Sequence, residues 1–396
     1  MLLYNATVYC MDRPAIARGF VRFDEVSGKI TEVGEMPAQG LAEEGIDLQG
    51  AGIYPGFIDA HTHLGLWEDG LNFEGDDGNE ETDPITPHLR AIDAVNPRDR
   101  CFAEAREAGI TTVLTTPGSA NPIGGQIAAI KTAGGRIDGM IVKAPAAMKM
   151  ALGENPKTVY NGKSQAPMTR MATAALIREQ LFKAKAYAEA LQRAEESEQE
   201  DDGDALDKPE FDMKCEALLP VLRREIQVHF HAHRADDMFT AIRLAKEFHL
   251  DYVLVHGTEG HQIAQELREE GARVLSGPFL ADRSKPELRE QTPASPGILS
   301  AAGVPVAIVT DHPVIPVQYL PLCAGLAVRE GMAEEAALRA ITLSPAEICG
   351  IQDRVGSITP GKDADLVVFR GSPLALSAKP ERVFIQGKPV VKGQEG

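Results

Sequence analysis

The chain has few cysteines and few aromatic residues. Its 396 residues include 5 cysteines and 1 tryptophan, and aromatic residues make up 5% of the total. No two cysteines form a Cys-x-x-Cys pair, which argues against a thiolate zinc site and against a disulfide framework. We therefore expect a protein of a reducing compartment. The scattered cysteines are Cys10, Cys101, Cys215, Cys323 and Cys349.

Positive charge and long apolar runs are also scarce. The formal net charge is −18, which argues against nucleic acid and anionic membranes as partners, since both would repel the chain. No stretch is apolar for long enough to span a bilayer. The first residues, Met-Leu-Leu-Tyr-Asn-Ala, lack the basic start and apolar core of a signal peptide. These features predict a cytoplasmic protein.

No glycine-rich dinucleotide fingerprint follows any predicted strand, so nucleotide binding has no support. Instead, residues 53 to 350 alternate short Val/Ile/Ala-rich runs with helical stretches. This rhythm predicts parallel strands closed into a (β/α)₈ barrel, with an open doubly wound sheet as the alternative. The predicted strands are 53–60, 111–116, 125–131, 141–152, 225–232, 252–256, 272–277 and 304–310. The clearest predicted helices are 97–108, 173–193, 236–248, 262–270 and 333–341.

Both ends of the chain carry short alternating strands that have too few apolar residues to fold alone. The economical interpretation is one composite β-domain that the barrel interrupts. We predict that residues 1–52 and 354–396 form this domain and that 53–353 form the barrel. Two segments break the pattern: 67–87 is predicted to be an acidic loop, and 195–212 a solvated, mobile linker after a long helix.

The sequence Pro55-Gly-Phe-Ile-Asp-Ala-His-Thr-His63 is the stretch around which the chain is organised. His61 and His63 end a short buried strand at positions i and i+2. Because side chains alternate across a strand, both imidazoles leave the backbone on one side. Two neighbouring imidazoles can chelate a divalent ion such as zinc.

Four predicted strand ends carry seven of the chain's 10 histidines. In a barrel, functional residues collect at the carboxyl ends of the strands. A divalent ion there would take neutral imidazoles and carboxylates and lower the pKa of its bound water. Asp311 is the natural candidate both to coordinate the ion and to shuttle the proton of the water. The seven histidines are His61, His63, His229, His231, His233, His256 and His312.

These motifs, together with Gly356-Ser-Ile-Thr-Pro-Gly-Lys-Asp-Ala-Asp-Leu-Val-Val-Phe369, resemble the metal-dependent amidohydrolase superfamily, in its imidazolonepropionase and adenine deaminase-like branch. The resemblance covers nearly the whole chain. It implies a (β/α)₈ barrel, a small β-sandwich built from both termini, and hydrolysis by metal-activated water. By chain order it also implies a set of metal ligands: His61, His63, His231, His256 and Asp311.

Binuclear members of this superfamily carry a bridging ligand from the fourth strand. Glu154 follows Leu-Gly, much as the bridging glutamate does in adenine deaminases, and we favour it because a glutamate ligates without modification. Lys149 is the alternative and would first have to react with CO₂; a mononuclear site is the third option. We expect one or two divalent ions, zinc first, with manganese, iron or cobalt as alternatives.

Further polar residues follow the same strand ends. His233, Arg234, Thr258, Glu259 and His312 are candidates for substrate binding, with Arg234 suited to a carboxylate. Asp236 and Asp237 fit the first turn of a helix, where the dipole favours negative charge.

The resemblance implies a hydrolase that cleaves a C–N bond of a small molecule, either an amide or a cyclic amide, which could be peptide-like. The alternatives are a deaminase of an aminopurine or another heterocycle, and a non-catalytic metal-binding member. Arg234 stands where mononuclear deaminases generally carry a glutamate, which weakens that version of the deaminase. Substrate identity stays open, and so does association into a homo-oligomer.

Overall fold

The computed structural model describes residues 1–37, 44–70, 72–199 and 206–392. Two eight-stranded sheets dominate it. In chain order the strands are β1 (Leu2–Val8), β2 (Ile16–Asp24), β3 (Lys29–Glu35), β4 (Ile46–Asp47), β5 (Gly52–Pro55), β6 (Phe57–Thr62), β7 (Ile110–Thr115), β8 (Ile123–Lys131), β9 (Ile141–Ala151), β10 (Gln227–Ala232), β11 (Tyr252–His256), β12 (Val274–Ser276), β13 (Val306–Ile308), β14 (Leu366–Phe369), β15 (Arg382–Ile385) and β16 (Lys388–Val391).

Ten α-helices accompany these strands in the described part of the chain. They are α1 (Cys101–Glu107), α2 (Glu154–Gly162), α3 (Arg170–Gln199), α4 (Met213–Leu222), α5 (Ala235–Phe248), α6 (Ala264–Glu269), α7 (Ser295–Ala301), α8 (Leu320–Arg329), α9 (Glu334–Arg339) and α10 (Leu343–Ile348). None of the helices in the described ranges is both long enough and apolar enough to cross a membrane.

The two ends of the chain share one sheet. Its order is β16-β15-β14-β5-β1-β2-β3, with β4 paired to β1. β14, from the C-terminal part, pairs antiparallel with β5, from the N-terminal part. Neither set of strands has enough apolar surface alone, and joined they bury a shared cluster around Leu3, Val21, Ile53 and Leu366. The two-layer sandwich implied by the resemblance stays a prediction, because the hydrogen bonds follow a single path.

The second sheet is the barrel, in the order β13-β12-β11-β10-β9-β8-β7-β6. Its first and last strands are joined by backbone hydrogen bonds just beyond β6 and β13. The Asp311 N–H donates to the His61 carbonyl over 3.1 Å, and the His63 N–H donates to the His312 carbonyl over 2.9 Å. Small and branched side chains such as Ala60, Ile127, Val255 and Ala307 fill the interior, as expected of a packed barrel.

β8 corrects the prediction of an all-parallel barrel. It runs antiparallel to both β7 and β9, whereas the other neighbouring strands are parallel. Parallel neighbours need a crossover of about a dozen residues or more. The connections before and after β8 are shorter than that and contain no α-helix, so the chain can only turn back on itself.

The strand predicted at 53–60 is two strands in two different sheets. β5 belongs to the terminal sheet and β6 to the barrel, with Gly56 between them. A Cβ added at Gly56 would lie 2.1 Å from Thr111 Oγ1, far inside van der Waals contact. Only glycine therefore fits where the chain leaves one sheet for the other.

The predicted linker at 195–212 is partly wrong. α3 continues to Gln199, so Glu195, Glu196 and Glu198 lie in a helix and not in a linker. Asp212 then caps α4, and its carboxylate accepts hydrogen bonds from two backbone N–H groups in the first turn. Residues 200–205, which were predicted to be part of the linker, lie outside the described residues.

One buried ion cluster connects the two sheets. Lys131, at the end of β8, is 1% exposed. Its Nζ lies 2.9 Å from Asp363 Oδ2 and 2.5 Å from Asp365 Oδ2. Lys29 and Arg354 also pair with Asp363, and these cations lower the pKa of its buried carboxyl below the usual value. Every charge in the cluster therefore has an opposite charge within contact distance.

Candidate metal centre

Four barrel strands bring polar side chains to one rim. His61 is in β6 and His63 follows it, His231 is in β10, His256 ends β11, and Asp311 follows β13. All four histidines are buried, at 0–4% exposure. Segments that are up to 250 residues apart in sequence therefore meet at the carboxyl ends of the barrel strands, where barrel enzymes place their functional residues.

Asp311 holds two of these imidazoles together. Its Oδ1 lies 3.3 Å from His61 Nε2 and 3.3 Å from His63 Nε2. The ring of His63 is oriented from behind, because its Nδ1 donates to the Thr116 carbonyl over 2.7 Å. Such a hydrogen bond fixes the tautomer and points the Nε2 lone pair into the site.

A buried carboxylate outside this group fixes Asp311 indirectly. Asp59, in β6, accepts a 2.5 Å hydrogen bond from the Thr310 hydroxyl and further bonds from the Thr310 and His61 backbone N–H groups. Burial raises the pKa of Asp59 to about 7. Asp59 therefore ties β6 to the residue immediately before Asp311.

The protonation states suit metal binding. Burial lowers the pKa of His231 and His256 to about 3 and holds that of His61 well below its usual value. Burial alone would raise the pKa of Asp311, but the neighbouring His256, His61 and His63 hold it well below its usual range. Neutral imidazoles around an ionised carboxylate are the form in which these groups bind a divalent cation.

Lys149 lies against this group from β9. Its Nζ is 3.4 Å from His61 Nε2, its side chain is fully buried, and burial lowers its pKa to about 8. Within the described ranges it has no carboxylate in ion-pair contact. Glu154 is the first residue of α2, half-buried, and its backbone N–H donates to Glu287 Oε2 over 3.0 Å. The Glu154 carboxylate belongs to neither group of converging ligand atoms found among those residues, so its bridging role stays a prediction.

A second group of imidazoles adjoins the first. The ligand atoms of His231, His233 and His256 lie within 4.8 Å of one another, as do those of His61, His256 and Asp311. His256 is common to both groups, and its Nδ1 donates to the Gly277 carbonyl over 2.7 Å. His229 is fully buried and belongs to neither group.

The predicted substrate-binding residues have different surroundings. Thr258 contacts His233, and the Glu259 carboxylate accepts the backbone N–H of Ala235 at the start of α5. Arg234 pairs with Asp236 over 2.8 Å, close to the surface. His312 is buried at the rim, where its Nδ1 accepts the backbone N–H of Val317. These contacts give Glu259 and Arg234 local structural partners, and a substrate role for any of the residues stays a prediction.

Three residues that border the second group were not predicted from the sequence. Glu287 Oε1 lies 3.7 Å from His233 Nε2 and 3.9 Å from His231 Nε2, and Lys285 pairs with it over 2.7 Å. Asn155 contacts both Lys285 and His231. Glu287 and Lys285 come from the segment after β12, which carries no motif, and no sequence signal could have identified them.

The donor set fits a divalent ion. His61 Nδ1 and His231 Nδ1 are buried and have no hydrogen-bond partner in the described part of the chain, and Lys149 is a buried amine beside imidazoles. Buried polar groups without partners are costly in a fold and usually have a functional reason. Nitrogen and oxygen donors of this kind are those that zinc and similar ions take in proteins.

A barrel with imidazoles and carboxylates gathered at the carboxyl-end rim is the architecture of a class of barrel hydrolases. The sequence matches the amidohydrolase family over residues 53–392. The chain belongs to this family.

Individual relatives agree with this family. An amidohydrolase from Thermotoga maritima MSB8 of known structure is 43% identical, with a TM-score of 0.92 over 99% of both chains. The amidohydrolase tasK of Hapsidospora irregularis is 34% identical over 91% of this chain and 39% of its own length. An imidazolonepropionase from Geobacillus kaustophilus is 46% identical over 71 residues, 17% of each chain. The present chain thus spans about two fifths of tasK and less of the imidazolonepropionase.

Proposed function

We propose that the chain is a metal-dependent hydrolase that cleaves an amide or cyclic amide of a small molecule, with Asp311 as its proton-transfer group. The observation that carries the proposal is the convergence of His61, His63, His231, His256 and Asp311 on one rim of the barrel. A structural role does not explain these buried imidazoles, since two ring nitrogens, His61 Nδ1 and His231 Nδ1, lack hydrogen-bond partners among the described residues.

The residues divide into two metal positions. His61, His63 and Asp311 would hold a first ion, and His231 and His256 a second. A bound divalent ion lowers the pKa of a coordinated water from 15.7 to about 7 and polarises the carbonyl group of a substrate. The buried rings exclude bulk water around the site, which strengthens the electrostatic interactions inside it.

Lys149 supports the proposal of a binuclear centre better than Glu154 does. Its lowered pKa keeps part of the amine neutral near pH 8, and a neutral amine attacks CO₂. In that step the N–C bond forms and one proton leaves, so the side chain becomes a carbamate that offers two oxygen ligands. The position of Nζ, 3.4 Å from His61 Nε2, supports this role, because a carbamate there would lie beside a ligand of the first ion.

Asp311 has the properties required for proton transfer. It is ionised, faces the site, and lies in hydrogen-bond reach of two imidazoles. We propose that its carboxylate accepts the proton of the attacking water and gives it to the departing nitrogen, which leaves as an amine. Asp59 and Thr310 hold the backbone beside Asp311 and thereby preserve this position.

The experiment is a screen with metal control. The full chain is treated with a chelator, reloaded with zinc, manganese or cobalt, and assayed against N-acyl amino acids, dipeptides, hydantoins, lactams and aminopurines. We expect amide or cyclic-amide cleavage that chelation abolishes and metal restores. Ammonia release from aminopurines alone would replace this function with heterocycle deamination, and turnover in a stringently metal-free sample would overturn the proposed mechanism.

A further inference from the structure

The three-histidine group at the rim contains one imidazole more than the proposed ligand set uses. His231 and His233 are two residues apart, at and just after the end of β10. Their ring centroids are 4.8 Å apart, and each ring also packs on His256, at 4.5 and 4.4 Å respectively. The ring of His233 therefore belongs to the site as closely as that of His231 does.

The backs of two of these rings are already bonded. His256 Nδ1 donates to the Gly277 carbonyl, and His233 Nδ1 contacts Thr258 Oγ1, both over 2.7 Å. This leaves Nε2 of each ring as the ligand atom. Zinc binds imidazole nitrogen at about 2.0–2.1 Å, so nitrogens within 4.8 Å of one another reach a common ion after small side-chain rotations.

We infer that His233 is a metal ligand, so that His231, His233 and His256 form a three-imidazole site that holds the second ion without the bridging residue. Three imidazoles and one open position suffice for a catalytic zinc site. The inference deepens the proposed function and rests on its metal dependence. With three imidazole ligands, the second ion would not need a ligand from Lys149. With His231 and His256 alone, it would.

Neighbouring charges favour a cation at this place. The Glu287 carboxylate, 1% exposed, faces the edges of His231 and His233 at 3.9 and 3.7 Å. Its Oε2 is held by the backbone N–H of Glu154 and its Oε1 by Lys285, so we count it as a nearby negative charge and not as a ligand. Asn155 Nδ2 lies 3.4 Å from His231 Nε2, and this long contact would be exchanged for the bond to the ion.

A role in packing alone does not account for this arrangement. A buried imidazole kept for structure has both nitrogens bonded, whereas His231 Nδ1 has no partner among the described residues. His233 Nε2 lies 3.7 Å from Glu287 Oε1, which is longer than a hydrogen bond. One ring nitrogen of each residue also lies within 4.8 Å of one ring nitrogen of His256, which packing alone does not require.

The experiment counts metal in variants of the full chain. Lys149→Ala, Lys149→Ala/His233→Asn and Lys149→Ala/His261→Asn are purified, stripped with a chelator, titrated with Zn²⁺ and analysed by mass spectrometry for bound zinc. His261 is the matched control, because it contacts Thr258 but belongs to neither group. Circular dichroism and thermal melting establish that each variant is folded.

We expect Lys149→Ala and the His261 control each to keep two zinc ions, one held by His61, His63 and Asp311 and one by the three-imidazole site, and the His233 variant to keep only the first. Adding His233→Asn should weaken binding by more than the roughly 10–100-fold that loss of a ligand's hydrogen-bond partner costs. With Co²⁺ in place of zinc, the visible absorption of Lys149→Ala should change on adding His233→Asn. Two zinc ions bound with unchanged affinity in the His233 variant, or only one zinc ion in Lys149→Ala, would overturn the inference. Wild-type protein that binds no zinc would instead overturn the proposed function.

Discussion

Two buried lysines in adjacent strands have opposite surroundings. Lys131 in β8 is 1% exposed and contacts Asp363 and Asp365. Lys149 in β9 is fully buried, has an imidazole nitrogen as its hydrogen-bond partner, and has a pKa lowered to about 8. Burying an ammonium without a counter-charge costs several kcal/mol, so the same residue type satisfies the fold at one place and strains it at the other.

The difference distinguishes structure from function in this molecule. The cluster around Lys131 joins the terminal sheet to the barrel, and its charges are compensated within the described residues. Lys149 has no carboxylate in ion-pair contact within the described residues and lies beside His61, a proposed metal ligand. A buried amine without an ion pair, next to converging imidazoles and a carboxylate, is therefore the feature that points to a functional site.

The largest effect should come from Asp311, the carboxylate that lies beside His61 and His63 at the rim of the barrel. Asp311→Asn keeps the size of the side chain and removes the base, so we expect turnover to fall by about 10²–10⁴-fold. The measurement is kcat on whichever amide the screen identifies, with circular dichroism to verify the fold. A rate near that of the wild type would remove the role assigned to Asp311.

The next largest effect is expected at Lys131, the buried lysine that we assign a structural role. Lys131→Met leaves Asp365 buried without its cation, so we expect a loss of about 3–5 kcal/mol in the free energy of unfolding. Urea denaturation of chelator-treated protein measures it. The matched control is Lys183→Met, which loses only an exposed helix pair with Glu179 and should cost less than about 1 kcal/mol. Equal losses in the two variants would contradict the assignment.

Lys149→Met tests whether the second buried lysine has a functional and not a structural role. Removing a buried amine that has no carboxylate in ion-pair contact among the described residues should leave the unfolding free energy of the metal-free protein unchanged within about 1 kcal/mol, or raise it, because the desolvation cost disappears. Activity of the reloaded variant should fall at the same time. A destabilisation as large as that of Lys131→Met would show that Lys149 is a structural residue.

Arg234 should give the smallest effect. Its guanidinium pairs with Asp236 near the surface, and an exposed pair of this kind contributes about 0–1 kcal/mol. Arg234→Ala is expected to change kcat/KM by less than about fivefold. A loss of a hundredfold, confined to KM for carboxylate-bearing substrates, would return Arg234 to the substrate-binding role predicted from the sequence.

The rim histidines could be predicted because local patterns carry them. His61 and His63 follow from side-chain alternation in one strand, and His231, His256 and Asp311 follow from strand ends in chain order. Lys149 and Glu154 could not be ranked from sequence, because the choice depends on where β9 ends and α2 begins. Lys149 still lies in the strand and faces the site, whereas Glu154 is already in the first turn of the helix.

Other features depended on contacts between distant segments. Glu287 meets the backbone of Glu154 across 133 residues, and no periodicity predicts such a contact. The antiparallel direction of β8 was missed because a strand pattern has no direction; only the short connections on either side reveal it. The splitting of 53–60 into β5 and β6 depends on the close approach of Gly56 to Thr111, which is a packing fact of the folded chain.

The central claim is that the rim residues His61, His63, His231, His256 and Asp311 bind divalent ions. Zinc-edge anomalous diffraction from crystals soaked in Zn²⁺ tests this claim most directly. The account predicts one peak about 2.0–2.1 Å from Nε2 of His61 and His63, and a second at the same distance from nitrogens of His231 and His256. Anomalous density absent from both positions, or found only on surface carboxylates, would contradict it.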